Sequence, residues 1–326
     1  MSRRSELGVY GVIMFALILL FIMLGTAAAA NVAKVIELPN YYWPLSLFFL
    51  TLAIGILAPM AGVGGGVIFV PLVSALYTFN VDFVRGTGLI MAFTSALAAA
   101  PKFLRTGLAS LRIALPVVAV AASTSILGAI IGLYITAAYP QGKYYVLIAL
   151  GAILFFIFAV MLTAKRVEFP EAGRIDGISR LLSMNGAYFE PTLNKLIEYK
   201  ATRVPLALIA FAGVGFLAGM FGLGAGWANV PVLNLVMSLP IKVSTSTSIL
   251  IITMTDATAS WVYLSKGAVL PLLVVPAVTG MYIGSRVGAV TAVKARPKVI
   301  RYIFLAIMLF AAVMDIYKGL HGLGIV

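Results

Sequence analysis

The chain has 326 residues, of which 62% are hydrophobic and only 10% charged, against about 25% charged in a soluble domain. No soluble core hides that much apolar surface, so lipid must solvate part of it. A net charge of +13 raises nucleic acid as a partner, but Lys and Arg fall in short segments between hydrophobic runs, as in cytoplasmic loops. The absence of Cys excludes thiol catalysis, disulfides and thiolate metal sites. The single histidine, His321, lies beyond the last apolar run, which argues against metal sites and Ser-His chemistry within the membrane.

Arg3 and Arg4 precede an apolar run from Val9 to Ala30. It resembles a signal peptide but exceeds the usual apolar core of roughly 7–15 residues, so it is read as a retained first span. Apolar stretches follow at 45–79, 86–101, 111–139 and 144–163. The polar segment from Lys165 to Arg203, with seven Lys/Arg and five Asp/Glu, reads as a linker on the membrane surface, with Leu193–Tyr199 as a short interfacial helix. Apolar stretches resume at 204–239, 244–264, 268–292 and 299–317.

The two halves repeat. A shift of 160 residues aligns Ala58-Pro-Met-Ala-Gly-Val-Gly-Gly-Gly66 with Ala218-Gly-Met-Phe-Gly-Leu-Gly-Ala-Gly226. The same shift, without a gap, pairs Val70-Pro71 with Val230-Pro231, Thr87 with Thr247, Gly107 with Gly267, Pro116 with Pro276 and Gly128-Ala129 with Gly288-Ala289. Internal duplication recurs in secondary transporters. The units expected are an N-terminal helix and outer loop (1–44), repeat 1 (45–163), a cytoplasmic linker (164–203) and repeat 2 (204–326).

The stretch 45–79 is too long for one span of about 20 residues and short for two. Pro59, the glycines from 62 to 66 and Pro71 are all helix breakers. If each broken stretch dips in and returns to the same side, the inside carries 17 Lys/Arg and the outside 5. The outside set is Lys34, Arg85, Lys143, Lys266 and Lys318. A single crossing gives 9 inside and 13 outside, so the positive-inside bias favours the dip. Each repeat is then a glycine-tipped re-entrant helical hairpin plus three transmembrane helices, and the second is inverted relative to the first. The fold expected is an all-α polytopic membrane protein of two inverted-topology repeats with an extra N-terminal helix. The linker and N-terminus lie in the cytoplasm and the C-terminus outside.

Two glycine tips meeting near the midplane form a candidate site, since non-helical backbone at that depth needs protein or a water-filled cavity around it. The second arm of each hairpin opens near Val67 and near Trp227, with free amides and the positive end of a helix dipole. Two such ends favour a small oxyanion. The candidate binding residues are therefore Gly62, Gly64, Gly65 and Gly66 with Gly222, Gly224, Ala225 and Gly226; close helix packing is the competing reading. Each next helix adds a matched segment, Arg85-Gly86-Thr87-Gly88 and Thr245-Ser246-Thr247-Ser248. Gly86, Thr87, Ser246 and Thr247 are candidates from it, their hydroxyls serving either as caps or as ligand donors. Two charges lie within apolar runs, Asp256 and Arg286, where function is the default hypothesis. Asp256 suits proton coupling, or structural hydrogen bonding as a neutral acid; Arg286 lies near enough to an end to snorkel. Gly62-Val-Gly-Gly-Gly lacks the strand–helix context of a dinucleotide loop, so an enzyme is not expected and no cofactor or metal is implied.

The two Gly-x-Gly-x-Gly segments, each followed by Pro after four residues, and the Gly86-Thr87 pair resemble the TauE/SafE sulfite-exporter family. This chain has Gly88 where that family commonly has Ser, and its second copy, Ser246-Thr247-Ser248, lacks the Gly. The resemblance implies a cell-membrane carrier that exports small sulfur-containing anions such as sulfite, sulfoacetate or related sulfonates. Its partners would be the lipid bilayer and the organosulfur or sulfur oxyanion, with no nucleic acid and a homodimer left open. An anion channel and a non-transporting membrane assembly protein are the competing functions.

Overall fold

The computed structural model describes residues 43–61, 64–77, 79–163, 176–190, 194–291 and 297–325. The expected first span and Gly62 lie outside these residues. The first half comprises α1 (Trp43–Ala61), α2 (Gly66–Leu76), α3 (Val81–Arg105), α4 (Leu111–Ala138) and α5 (Gly142–Thr163). A short helix α6 (Gly177–Leu181) and two strands, β1 (Asn185–Glu190) and β2 (Lys195–Lys200), come next. The second half comprises α7 (Val204–Phe221), α8 (Gly226–Pro231) continued by a π-helical turn (Val232–Val236), α9 (Ile241–Ser265), α10 (Pro271–Thr291) and α11 (Pro297–Gly322).

Among the described residues, four helices are long and apolar enough to cross a membrane: Val81–Arg105, Leu111–Ala138, Gly142–Val160 and Val204–Phe221. The protein is a helical, multi-pass membrane protein. In lipid every backbone polar group must be satisfied internally, and helices do this within one segment. The apolar faces of α4 are exposed at Leu115, Leu127, Ile130 and Ile131, as a lipid-facing helix requires.

The glycines, not the prolines, break the helices. Pro59 lies inside α1 and Pro71 inside α2, whereas Gly64 and Gly65 lie outside both helices. Proline is tolerated because neighbouring helices and local π adjustments satisfy the freed carbonyl; Pro231 is followed directly by the π turn Val232–Val236.

Packing is mediated by small residues, as expected where lipid removes the hydrophobic drive for helix association. The closest helix pairs are α1 with α10, α4 with α7, α5 with α11 and α3 with α9. A side chain at Gly55 of α1 would meet Met281 O of α10 at 2.6 Å. A side chain at Gly215 of α7 would collide with Ala121 O of α4. Each residue of the second contact stands 160 positions from its counterpart in the first. The same exchange relates Gly128 against Phe216 O to Gly288 against Ile56 O. Each half thus lends its first helix to the fourth helix of the other.

The linker is not helical where a helix was expected. Strand β2 pairs antiparallel with β1, Tyr188 opposite Ile197 and Phe189 opposite Leu196. Strand pairing is non-local and burial decides it: Tyr188, Glu190 and Tyr199 face inward. Buried Glu190 holds Lys242 at the start of α9 through both carboxylate oxygens, at 2.6 and 2.7 Å. Burial pushes the Tyr199 hydroxyl above the usual tyrosine range, and its hydrogen bond with Ser110 pulls it back. The hairpin is therefore pinned onto the starts of α4 and α9.

Arg85 departs furthest from expectation. Placed in an outer loop by the charge pattern, it is fully buried within α3 and ion-paired to Asp82. Paired within the bundle, it carries no weight in a count of loop charges.

Candidate functional site

The two glycine breaks touch. A Cβ at Gly66 would lie 2.5 Å from Gly88 O and 2.8 Å from Leu223 O, so the first break, the second break and α3 meet at backbone contact. A Cβ at Gly88 would likewise lie 2.6 Å from Gly222 O. A Cβ at Gly64 would lie 3.2 Å from Ala92 and 3.4 Å from Ile252, and one at Gly224 2.7 Å from Asp256 Oδ2 and 2.8 Å from Ala92. The breaks are thus flanked by Gly88 and Ala92 of α3 and by Ile252 and Asp256 of α9, each pair one helical turn apart.

Local conformation explains these residue types. Gly222 and Gly224 have φ of 70° and 74°, the left-handed region open to glycine at little cost, and Gly222 is the C-cap of α7. The chain then turns into α8 with Ala225 at its N-cap and Gly226 as its first residue. The helix after the first break opens in the same way, Phe69 N donating to Gly65 O at 3.0 Å as Asn229 N does to Ala225 O at 3.2 Å, but Gly64 does not share the left-handed backbone of Gly224. In α2 the Val67 and Ile68 amides turn back onto Gly64 O and Gly65 O at 3.4 and 3.3 Å, and in α8 the Ala228 amide onto Ala225 O at 3.4 Å, so only the amides at the very start of each helix lack a carbonyl one turn back.

Several buried polar side chains on the elements that meet here lack hydrogen-bond partners. Asp256 is fully buried; the Ala225 amide faces its carboxylate, yet neither oxygen has a hydrogen bond of normal geometry. Thr87 Oγ1, next to Gly88, is buried and unpartnered. So are Ser248 Oγ, one turn before Ile252, and Thr255 Oγ1, beside Asp256. In α8 the Trp227 Nε1 and both amide atoms of Asn229 are buried without partners. Buried polar groups are normally hydrogen-bonded, and these are exceptions to that rule. Among these, Thr87, Ser248, Thr255, Trp227 and Asn229 offer donors without net charge.

The other expected residues take different places. Thr247 Oγ1 accepts from the Ser110 N–H at 3.1 Å, which ties it to the α3–α4 turn. Gly86 packs against Tyr263 and the Ala268 carbonyl, away from the breaks. Ser246 is buried in α9. A side chain at Gly65 would press chiefly on the flexible end of Met281, with Met91 O at 3.7 Å. Arg286 is exposed, donates to the Tyr282 hydroxyl at 2.7 Å and lies 5.2 Å from that ring's centroid; it does not reach Asp256.

Sequence reasoning passed over Asn229, Trp227, Ser248 and Thr255. A polar amide in the apolar run 204–239 was a usable signal, since such residues are expensive in lipid. The hydroxyls carried none, because a serine or threonine within a helix can bond its own backbone.

The family model described as Sulfite exporter TauE/SafE matches residues 47–314. A relative from Bacillus subtilis (strain 168), "Probable membrane transporter protein YunE", is 29% identical over 283 residues, covering 85% of this chain and 98% of the relative. No solved structure matches. With the family model spanning both glycine breaks and all the helices around them, the chain belongs to the sulfite exporter TauE/SafE family of membrane transporters.

Proposed function

We propose that the protein is a secondary transporter that exports a small sulfur-containing oxyanion, sulfite, sulfoacetate or a related sulfonate, across the cell membrane. The observation that carries this reading is the contact of the two glycine breaks amid buried, unpartnered neutral donors. The anion sits between the breaks, where the first amides of α2 and α8 meet its oxygens and Thr87, Ser248, Asn229 and Trp227 add hydrogen bonds. Glycine leaves the amides open to approach. The reciprocal packing of α1 on α10 and of α7 on α4 supports two repeats, 45–163 and 204–326, whose hairpins enter from opposite faces. Rocking of one repeat against the other then exposes the site alternately to each side.

Asp256 couples this cycle to protons. Ionised, it competes with the substrate for the amide end of the second break; neutral, it releases that end to the anion, so anion and proton cross together and the pH gradient sets the direction of net flux.

Flux in proteoliposomes tests the carrier. Sulfite uptake is expected to saturate and to accelerate when the lumen is preloaded with sulfite. Linear, unaccelerated flux marks a channel, and absence of flux for sulfite, thiosulfate, sulfoacetate and taurine alike sinks the transport reading. Topology is checked with reporter fusions: one placed in the 170–195 linker is expected to report the cytoplasm, and one after Gly324 the outside.

A further inference from the structure

The last carbonyls of α7, where the second glycine break begins, need partners, and two side chains from other helices supply them. Arg85 Nη1 of α3 donates to Met220 O at 2.8 Å. The Tyr263 hydroxyl of α9 donates to Gly219 O at 3.0 Å and lies 3.2 Å from Met220 O. Arg85 Nη2 also reaches Gly132 O of α4 at 3.3 Å, and the guanidinium lies 5.8 Å from the Tyr263 ring centroid. A cation at a helix C-terminus meets the negative end of the dipole, and Asp82 supplies the countercharge that its burial requires. Directly after these carbonyls, Gly222 lies against the Arg85 backbone so closely that no side chain would fit. Two neighbouring helices therefore grip the end of α7 at the start of the break.

Among the described residues, the other half shows no such grip. The positions matched by the 160-residue shift are Thr245 and Phe103. The Thr245 hydroxyl donates to Ile241 O of its own helix at 2.8 Å, and Phe103 has no hydrogen-bonding group on its ring.

We infer that Arg85 and Tyr263 are positioning residues that clamp the carbonyl end of α7 and thereby hold the second break, Gly222–Gly226, in the shape that presents its amides to the substrate. The clamp acts on one break only, so the two hairpins are unequal partners in the site. Its effect on transport rests on the anion-site reading above; its effect on the break does not.

Because the chain contains no cysteine, single-cysteine reporters have no background. Ala225→Cys probes the second break and Val67→Cys the helix after the first. Each is placed in the parent protein and in Tyr263→Phe, Arg85→Gln and Arg85→Lys backgrounds in proteoliposomes. The readouts are labelling rate by a membrane-permeant maleimide, melting temperature, and the KM and maximal rate for sulfite. Tyr263→Phe removes only a hydroxyl and is expected to speed labelling at Ala225→Cys and to raise the sulfite KM, each by about fivefold, the scale of one lost hydrogen bond. Labelling at Val67→Cys, maximal rate and melting temperature are expected to stay near the parent values. Arg85→Gln is expected to do the same more strongly, with Arg85→Lys recovering part of the loss; if Arg85→Gln does not fold, Tyr263→Phe decides alone. Equal acceleration at both cysteines, or a fall in melting temperature with labelling unchanged, overturns the clamp. Selective acceleration at Ala225→Cys in a protein with no saturable sulfite flux upholds the clamp and removes the sulfite reading instead.

Discussion

Gly66→Ala is expected to lower the apparent affinity for sulfite by roughly 30-fold, from about 2 kcal/mol of overpacking strain borne by the site. The added methyl would stand 2.5 Å from Gly88 O and 2.8 Å from Leu223 O. Both obstacles are backbone, so neither can rotate away, and relief comes only by separating the two breaks that form the site. Gly213 of α7 is the control: it is exposed and nothing lies within 4 Å of an added Cβ. Gly213→Ala is expected to leave transport intact and to raise the melting temperature slightly, since alanine is the better helix former by about 1 kcal/mol. Equal sulfite affinity in the two variants would show that contact between the breaks is irrelevant to binding.

Asp256→Asn is expected to retain sulfite binding and to lose its dependence on pH. The sign follows from competition at one place: Gly224 lies against Asp256 Oδ2, and the Ala225 amide faces the carboxylate. Protonation frees that end of the break, so binding in the parent protein strengthens as pH falls. It weakens as pH rises, by at most about tenfold per unit for one linked proton. Asparagine holds the neutral state permanently, so with a sulfonate ligand, whose sulfonate charge is constant near neutral pH, its binding curve is flat with pH and a pH gradient no longer drives uphill flux. Uphill, gradient-driven transport surviving in Asp256→Asn would remove this residue from the coupling path.

Much of this site could be read from the chain itself. The glycine clusters were recognisable because a run such as Gly64–Gly66 in an apolar stretch has few other uses, and their repetition doubled the signal. Asp256 stood out because charge in lipid is costly. Thr87 and Thr247 were indistinguishable by sequence, each at the same offset from its glycine cluster. The fold separates them: the Thr247 oxygen is taken by the Ser110 amide, whereas Thr87 is left unpartnered beside Gly88. Arg85 was misplaced for a related reason. Its neighbours Asp82 and Asn80 read as loop, yet α3 begins at Val81 and turns the guanidinium onto carbonyls 135 residues away in the chain.

The division has one physical origin. Entry into lipid is decided residue by residue through transfer free energy, so composition and the spacing of apolar runs were enough to identify a membrane protein with two broken segments. The pairing of a buried polar group depends on atoms brought near by distant parts of the chain. Only the tertiary structure could decide that the two breaks touch, that Asn229 and Trp227 are left without partners, and that Arg85 and Tyr263 close the end of α7.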